Sequence, residues 1–93
     1  MEKSINLYLL ENNWILISDQ KKAKKTFKFK SFIQAFSWMT EVAFSSETQD
    51  HHPNWTNVYN VVDVVLSTHD RDSLTEKDSL LAGVMDKAYE KYI

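Results

Sequence analysis

Apolar side chains return every three or four residues between Ser31 and about Ser46, at Phe32, Ala35, Phe36, Met39, Val42 and Ala43. That is the period of a helix with one buried face. Ser31 followed three positions later by Gln34 adds a capping-box start. The same signal recurs at Thr75-Glu76-Lys77-Asp78, ahead of a last helix with the stripe Leu80, Leu81, Val84, Met85, Ala88 and Tyr92. Gly83 inside this helix costs about 1 kcal/mol relative to Ala, which points to close packing there.

Elsewhere the pattern is that of strands. Trp14-Ile15-Leu16-Ile17 is β-branched and aromatic, and Phe27 and Phe29 alternate with Lys28 and Lys30. Trp55–Tyr59 and Val62–Thr68 read as two more strands, turned at Asn60, with Val62, Val64 and Leu66 on the core side. Asp19–Lys25, with four lysines and nothing apolar larger than Ala, reads as a solvated turn. Ser4–Asn13, carrying Ile5, Leu7, Tyr8, Leu9 and Leu10, reads as a short helix or an irregular arm. The order predicts an α+β fold: a four-stranded antiparallel sheet with two main helices on one face and a short N-terminal helix.

Composition narrows the class. The 93 residues suit one domain spanning 1–93, and 43% hydrophobic with 26% charged residues is a globular balance that excludes disorder. The absence of Cys removes disulfides, thiolate nucleophiles, Fe–S clusters and Cys-ligated zinc. A formal charge of −2 and a pI near 5.8 lack the basic footprint of a nucleic-acid binder. No apolar run is long enough for a membrane span, and Met1-Glu2-Lys3-Ser4 does not begin a secretion signal. The expected address is cytoplasmic.

The three histidines are His51, His52 and His69. His51 and His52 precede the third strand and His69 follows the fourth, so a hairpin of those strands brings all three imidazoles to one end of the sheet. Three readings fit such a cluster. It can be ordinary surface histidine. It can be a zinc site with Glu47 or Asp50, although adjacent histidines seldom reach one ion and no HExxH spacing occurs. Or it can be metal-free acid–base machinery, since imidazole both donates and accepts protons near neutral pH.

Glu47, His51-His52-Pro53, Tyr59, His69 and Asp78 together form an ordered pattern. The flanking runs Phe27–Phe32, Trp38-Met39-Thr40, Asn57–Asn60, Leu66–His69 and Leu74–Asp78 extend it over roughly residues 14–86. In these positions the chain resembles the pterin-4a-carbinolamine dehydratases. It departs from them at Asp72-Ser73, where the family often has Gly, and before Trp14, where the amphipathic helix is less obvious.

The resemblance implies dehydration of a 4a-hydroxytetrahydropterin to the quinonoid dihydropterin, in recycling of the cofactor of aromatic amino-acid hydroxylases. No metal or other cofactor is implied. By the same resemblance His51, His52, His69 and Glu47 are catalytic, while Asp50, Ser67, Thr68 and Asp70 join the histidines around the pterin. Asp78 reads as structural through its cap, Tyr59 as strand packing, and Trp14 and Trp55 as core or rim. A homodimer or homotetramer is expected. The competing class is a protein-binding dimerisation module, using the last helix's stripe or the flank of the 31–46 helix.

Overall fold

The computed structural model describes residues 2–93, with side chains from Asn6 onward. Helix α1 (Glu2–Glu11) leads into strands β1 (Ile15–Ile17) and β2 (Lys22–Lys28). Helix α2 (Phe32–Gln49), the hairpin β3 (Asn54–Val58) and β4 (Val61–Leu66), helix α3 (Glu76–Tyr89) and a 3₁₀ turn (Glu90–Tyr92) follow. The strands form one antiparallel sheet in the order β1-β2-β4-β3. This is the predicted α+β architecture. The side chain of Ile5 lies outside the described residues.

Register explains the core. Ala23 pairs with Leu66 and Phe27 with Val62, so period-two alternation puts Ala23, Phe27, Val62, Val64 and Leu66 on one face. All five are buried, together with Leu9, Trp14, Trp38, Leu81 and Met85. Trp14, Phe27 and Trp38 pack ring against ring, and Trp55 joins them at 6.0 Å from Trp38. Trp14 is therefore a core residue, and Trp55 packs at the core's rim. At Gly83 a Cβ would meet the Tyr8 hydroxyl of α1 at 3.6 Å, an ordinary van der Waals contact, so the packing there is less tight than the sequence suggests.

Four details differ from the sequence reading. The lysine run is strand from Lys22 onward, and only its first part is a turn. Lys25 sits on the inner face because the Asp86 carboxylate lies 2.7 Å from its ammonium, with Asn12 O as second acceptor. Helix α2 buries Ala35, Trp38, Val42 and Ser46, leaving Phe32, Phe36 and Ala43 outside. Leu80 of α3 is likewise exposed. In the β3–β4 turn it is Tyr59, exposed and at φ 53°, that takes the left-handed conformation, rather than Asn60. The Asn60 side chain instead donates to Phe29 O at 2.7 Å, which braces the turn against the end of β2.

Candidate active site

Two turns of opposite origin build the site. At the C-terminus of α2, Asp50 adopts left-handed backbone (φ 52°, ψ 45°), which Asp tolerates better than most residues. Its N–H bonds Glu47 O and that of His51 bonds Ser46 O at 3.0 Å, the double closure of a Schellman end. The helix stops there, and the chain turns to present His51 and His52 before entering β3. Beyond β4, Thr68 and Ser73 bridge as an antiparallel pair with Asp72 at φ 48°. Asp72 thus fills the left-handed position for which Gly is the easier residue, and the turn carries His69 and Asp70.

These turns meet across an open cleft of about 590 Å³. The 50–54 segment lines one side, Thr68, His69 and Asp70 the other, and Lys77 of the first turn of α3 completes the rim. All three histidines therefore reach one cavity, as the hairpin topology predicts, and Asp50, Thr68 and Asp70 reach it too. Ser67 does not line it. The volume lies within the ~300–1,000 Å³ typical of small-molecule sites.

The histidines are held differently. His51 is buried, and its Nε2 lies 2.7 Å from Oδ1 of Asp78, which has no exposed surface at all. The other oxygen of Asp78 accepts from the Thr68 hydroxyl at 2.8 Å and from Thr75 N–H at 3.0 Å. An ionised carboxylate offers only lone pairs, so the network assigns the Nε2 proton to His51 and leaves Nδ1 as its acceptor. His52 is more than half exposed and pairs with Glu47, Nε2 to Oε1 at 2.7 Å. His69 is exposed.

Helical spacing alone would pair Glu47 with His51. The left-handed residue at Asp50 redirects the chain, and Glu47 meets His52 instead. Asp78 is the residue that sequence reasoning undervalued. Its capping box with Thr75 is present as predicted, but that box uses one carboxylate oxygen while the other holds His51. Pro53, Asn54 and Lys77 also line the cleft, although the sequence reading gives none of them a role in the site. Among the described residues, no three His, Asp or Glu side chains are grouped to hold a metal ion.

Comparison with known proteins gives a consistent answer. The family profile described as pterin 4 alpha carbinolamine dehydratase matches residues 1–88. A Rhizobium meliloti (strain 1021) protein provisionally named a pterin-4-alpha-carbinolamine dehydratase is 56% identical over 77 residues, 83% of this chain and 74% of that protein. Among solved structures, a transcriptional coactivator/pterin dehydratase from Brucella melitensis superposes with a TM-score of 0.87 at 37% identity, covering 96% of each chain. A pterin dehydratase-like RuBisCO assembly factor of the alpha-carboxysome has a TM-score of 0.70 at 22% identity, covering 82% of this chain and 88% of that one, and shares the fold alone.

Proposed function

The chain belongs to the pterin 4 alpha carbinolamine dehydratase family, and from that premise we propose that it dehydrates a 4a-hydroxytetrahydropterin by metal-free histidine catalysis. In this reaction the C4a–O bond breaks as N5 gives up its proton and becomes doubly bonded to C4a. The hydroxyl departs as water. One group must accept the N5 proton and another must protonate the leaving oxygen. The observation that carries the reading is the presence of three imidazoles from two separate stretches in one cleft of suitable size.

Their surroundings suggest a division of labour. His51, with Nε2–H directed to Asp78 and Nδ1 free to accept, has the arrangement of a carboxylate-oriented base. The buried carboxylate also fixes the orientation of the ring as His51 takes the N5 proton. His52, exposed at the cleft and oriented by Glu47 at 2.7 Å, suits the acid that protonates the hydroxyl. His69 opposite them contacts the bicycle. The Asp50 and Asp70 carboxylates are natural acceptors for the N3–H and 2-amino donors of a pterin.

The same reading puts the protein in the cytosol, in recycling of the oxidised pterin of aromatic amino-acid hydroxylases. It also gives a use to the outer face of α2, where Ile33, Phe36 and Phe44 are 76%, 55% and 72% exposed in a line along the helix. Such a line suits self-association into a homodimer or homotetramer.

Stopped-flow dehydration of a synthetic 4a-hydroxytetrahydropterin, run in EDTA, tests the proposal. The expected result is acceleration that survives chelation and falls about 10²–10⁴-fold in His51→Ala and His52→Ala. Folded wild-type protein that leaves the spontaneous rate unchanged overturns the reading.

A further inference from the structure

The hydroxyls of Thr68 and Thr75 form a directed chain that ends on Asp78. Thr68 Oγ1 donates to Asp78 Oδ2 at 2.8 Å, and its only proton is thereby committed. The 2.6 Å contact between the two hydroxyls then has one consistent direction, with Thr75 donating to Thr68. Thr75 Oγ1 in turn accepts from Lys77 N–H at 3.3 Å, while Thr75 N–H reaches Asp78 Oδ2 at 3.0 Å. The opposite oxygen of Asp78 meets His51. Every proton in the chain points toward the carboxylate, and neither hydroxyl has one left for a ligand.

We propose that Thr68 and Thr75 are positioning residues: their coupled hydroxyls hold the Asp78 carboxylate in the orientation that aims the His51 imidazole. Thr68 lines the cleft, yet it is 5% exposed and its hydroxyl is turned inward, so it does not bind substrate through that group. One set of bonds then does two things. It caps α3, and it ties that helix to the end of β4 and, through Asp78, to the turn after α2. Removing the Thr68 hydroxyl leaves Asp78 with a lone pair unmet and a side-chain torsion less fixed, removing that of Thr75 leaves the Thr68 hydroxyl without the donor that directs it, and in both cases His51 follows.

This inference rests on the dehydratase reading for its kinetic consequence but not for its structural one, and the test separates the two. The variants are Thr68→Val, Thr68→Ser and Thr75→Val, read by steady-state kinetics and by long-range ¹⁵N–¹H spectra of the ligand-free imidazoles. In Thr68→Val, kcat is expected to fall about tenfold, the kinetic equivalent of one hydrogen bond to a charged group, with KM within about twofold. The His51 Nε2 proton signal shifts or broadens with it, and Thr68→Ser restores both. Thr75→Val shows the same signature and serves where Thr68→Val does not fold. A KM rise of about tenfold at unchanged kcat, or an unchanged His51 spectrum in both valine variants, overturns the proposal. If wild-type protein has no dehydratase activity, that reading falls, and the imidazole spectra alone still decide the positioning role.

Discussion

Replacing Asp86 with Ala is expected to cost the fold heavily while leaving the chemistry intact. One oxygen of this carboxylate accepts from the Tyr8 hydroxyl and from Trp14 Nε1, both at 3.0 Å, and the other pairs with Lys25 at 2.7 Å. The ion pair is mostly enclosed, with side-chain exposures of 17% for Lys25 and 15% for Asp86. Truncation strands a mostly buried ammonium whose remaining protein acceptor is Asn12 O, and it leaves the buried Trp14 N–H without its partner. Breaking such a pair from one side costs about 3–5 kcal/mol. For a domain of this size each kcal/mol lowers Tm by about 4–8 °C, so a fall of at least about 12 °C follows. Lys25→Met is the milder change, because Asp86 keeps two donors and some solvent. Thermal and urea unfolding read the stability, and the dehydration assay at a temperature where both proteins are folded reads kcat. Asp86 does not line the cleft, so kcat should stay within about twofold. A loss under about 1 kcal/mol would refute the claim that this network joins α1, β2 and α3.

Burial, then the charge and hydrogen bond of Asp86, push the Tyr8 phenol up to about 12. An unfolded tyrosine ionises near 10, so this contribution to stability is complete below about pH 10 and declines as pH rises toward 12. Alkaline difference spectroscopy should find one of the four tyrosines ionising near 12, and Tyr8→Phe should remove that step. Asp78→Asn should lower Tm by about 10 °C or more through loss of the buried hydrogen bonds and the cap, and should cut kcat at least about a hundredfold by unseating His51; calorimetry and stopped flow check the two effects separately. Phe44→Glu should turn an oligomer into monomer by light scattering with Tm barely changed, whereas a monomeric wild-type protein contradicts the self-association reading.

Much of this molecule is legible in its pattern because short-range rules agree with the fold. Val62, Val64 and Leu66 alternate and are buried, and Ser31 and Thr75 cap the helices they precede. The facing of α2 is harder to read, because Phe32 and Phe36 fit the 3.6-residue period as well as Ala35, Trp38 and Val42 do. Only packing on the sheet chooses between the two faces. Lys25 hides in a lysine run because its partner lies 61 positions away. Convergence of the histidines follows from the hairpin topology alone. Their partners do not, since one left-handed residue at Asp50 moves Glu47 from His51 to His52 and leaves His51 to Asp78.

Titration of the ¹⁵N-labelled protein with a reduced pterin, observed at the histidine ring nitrogens, addresses the site most directly. Saturable shifts in the rings of His51, His52 and His69 together, at a common dissociation constant, are the expected outcome. Rings that stay unmoved while other surfaces respond, or that respond singly with unrelated affinities, contradict a shared pterin pocket.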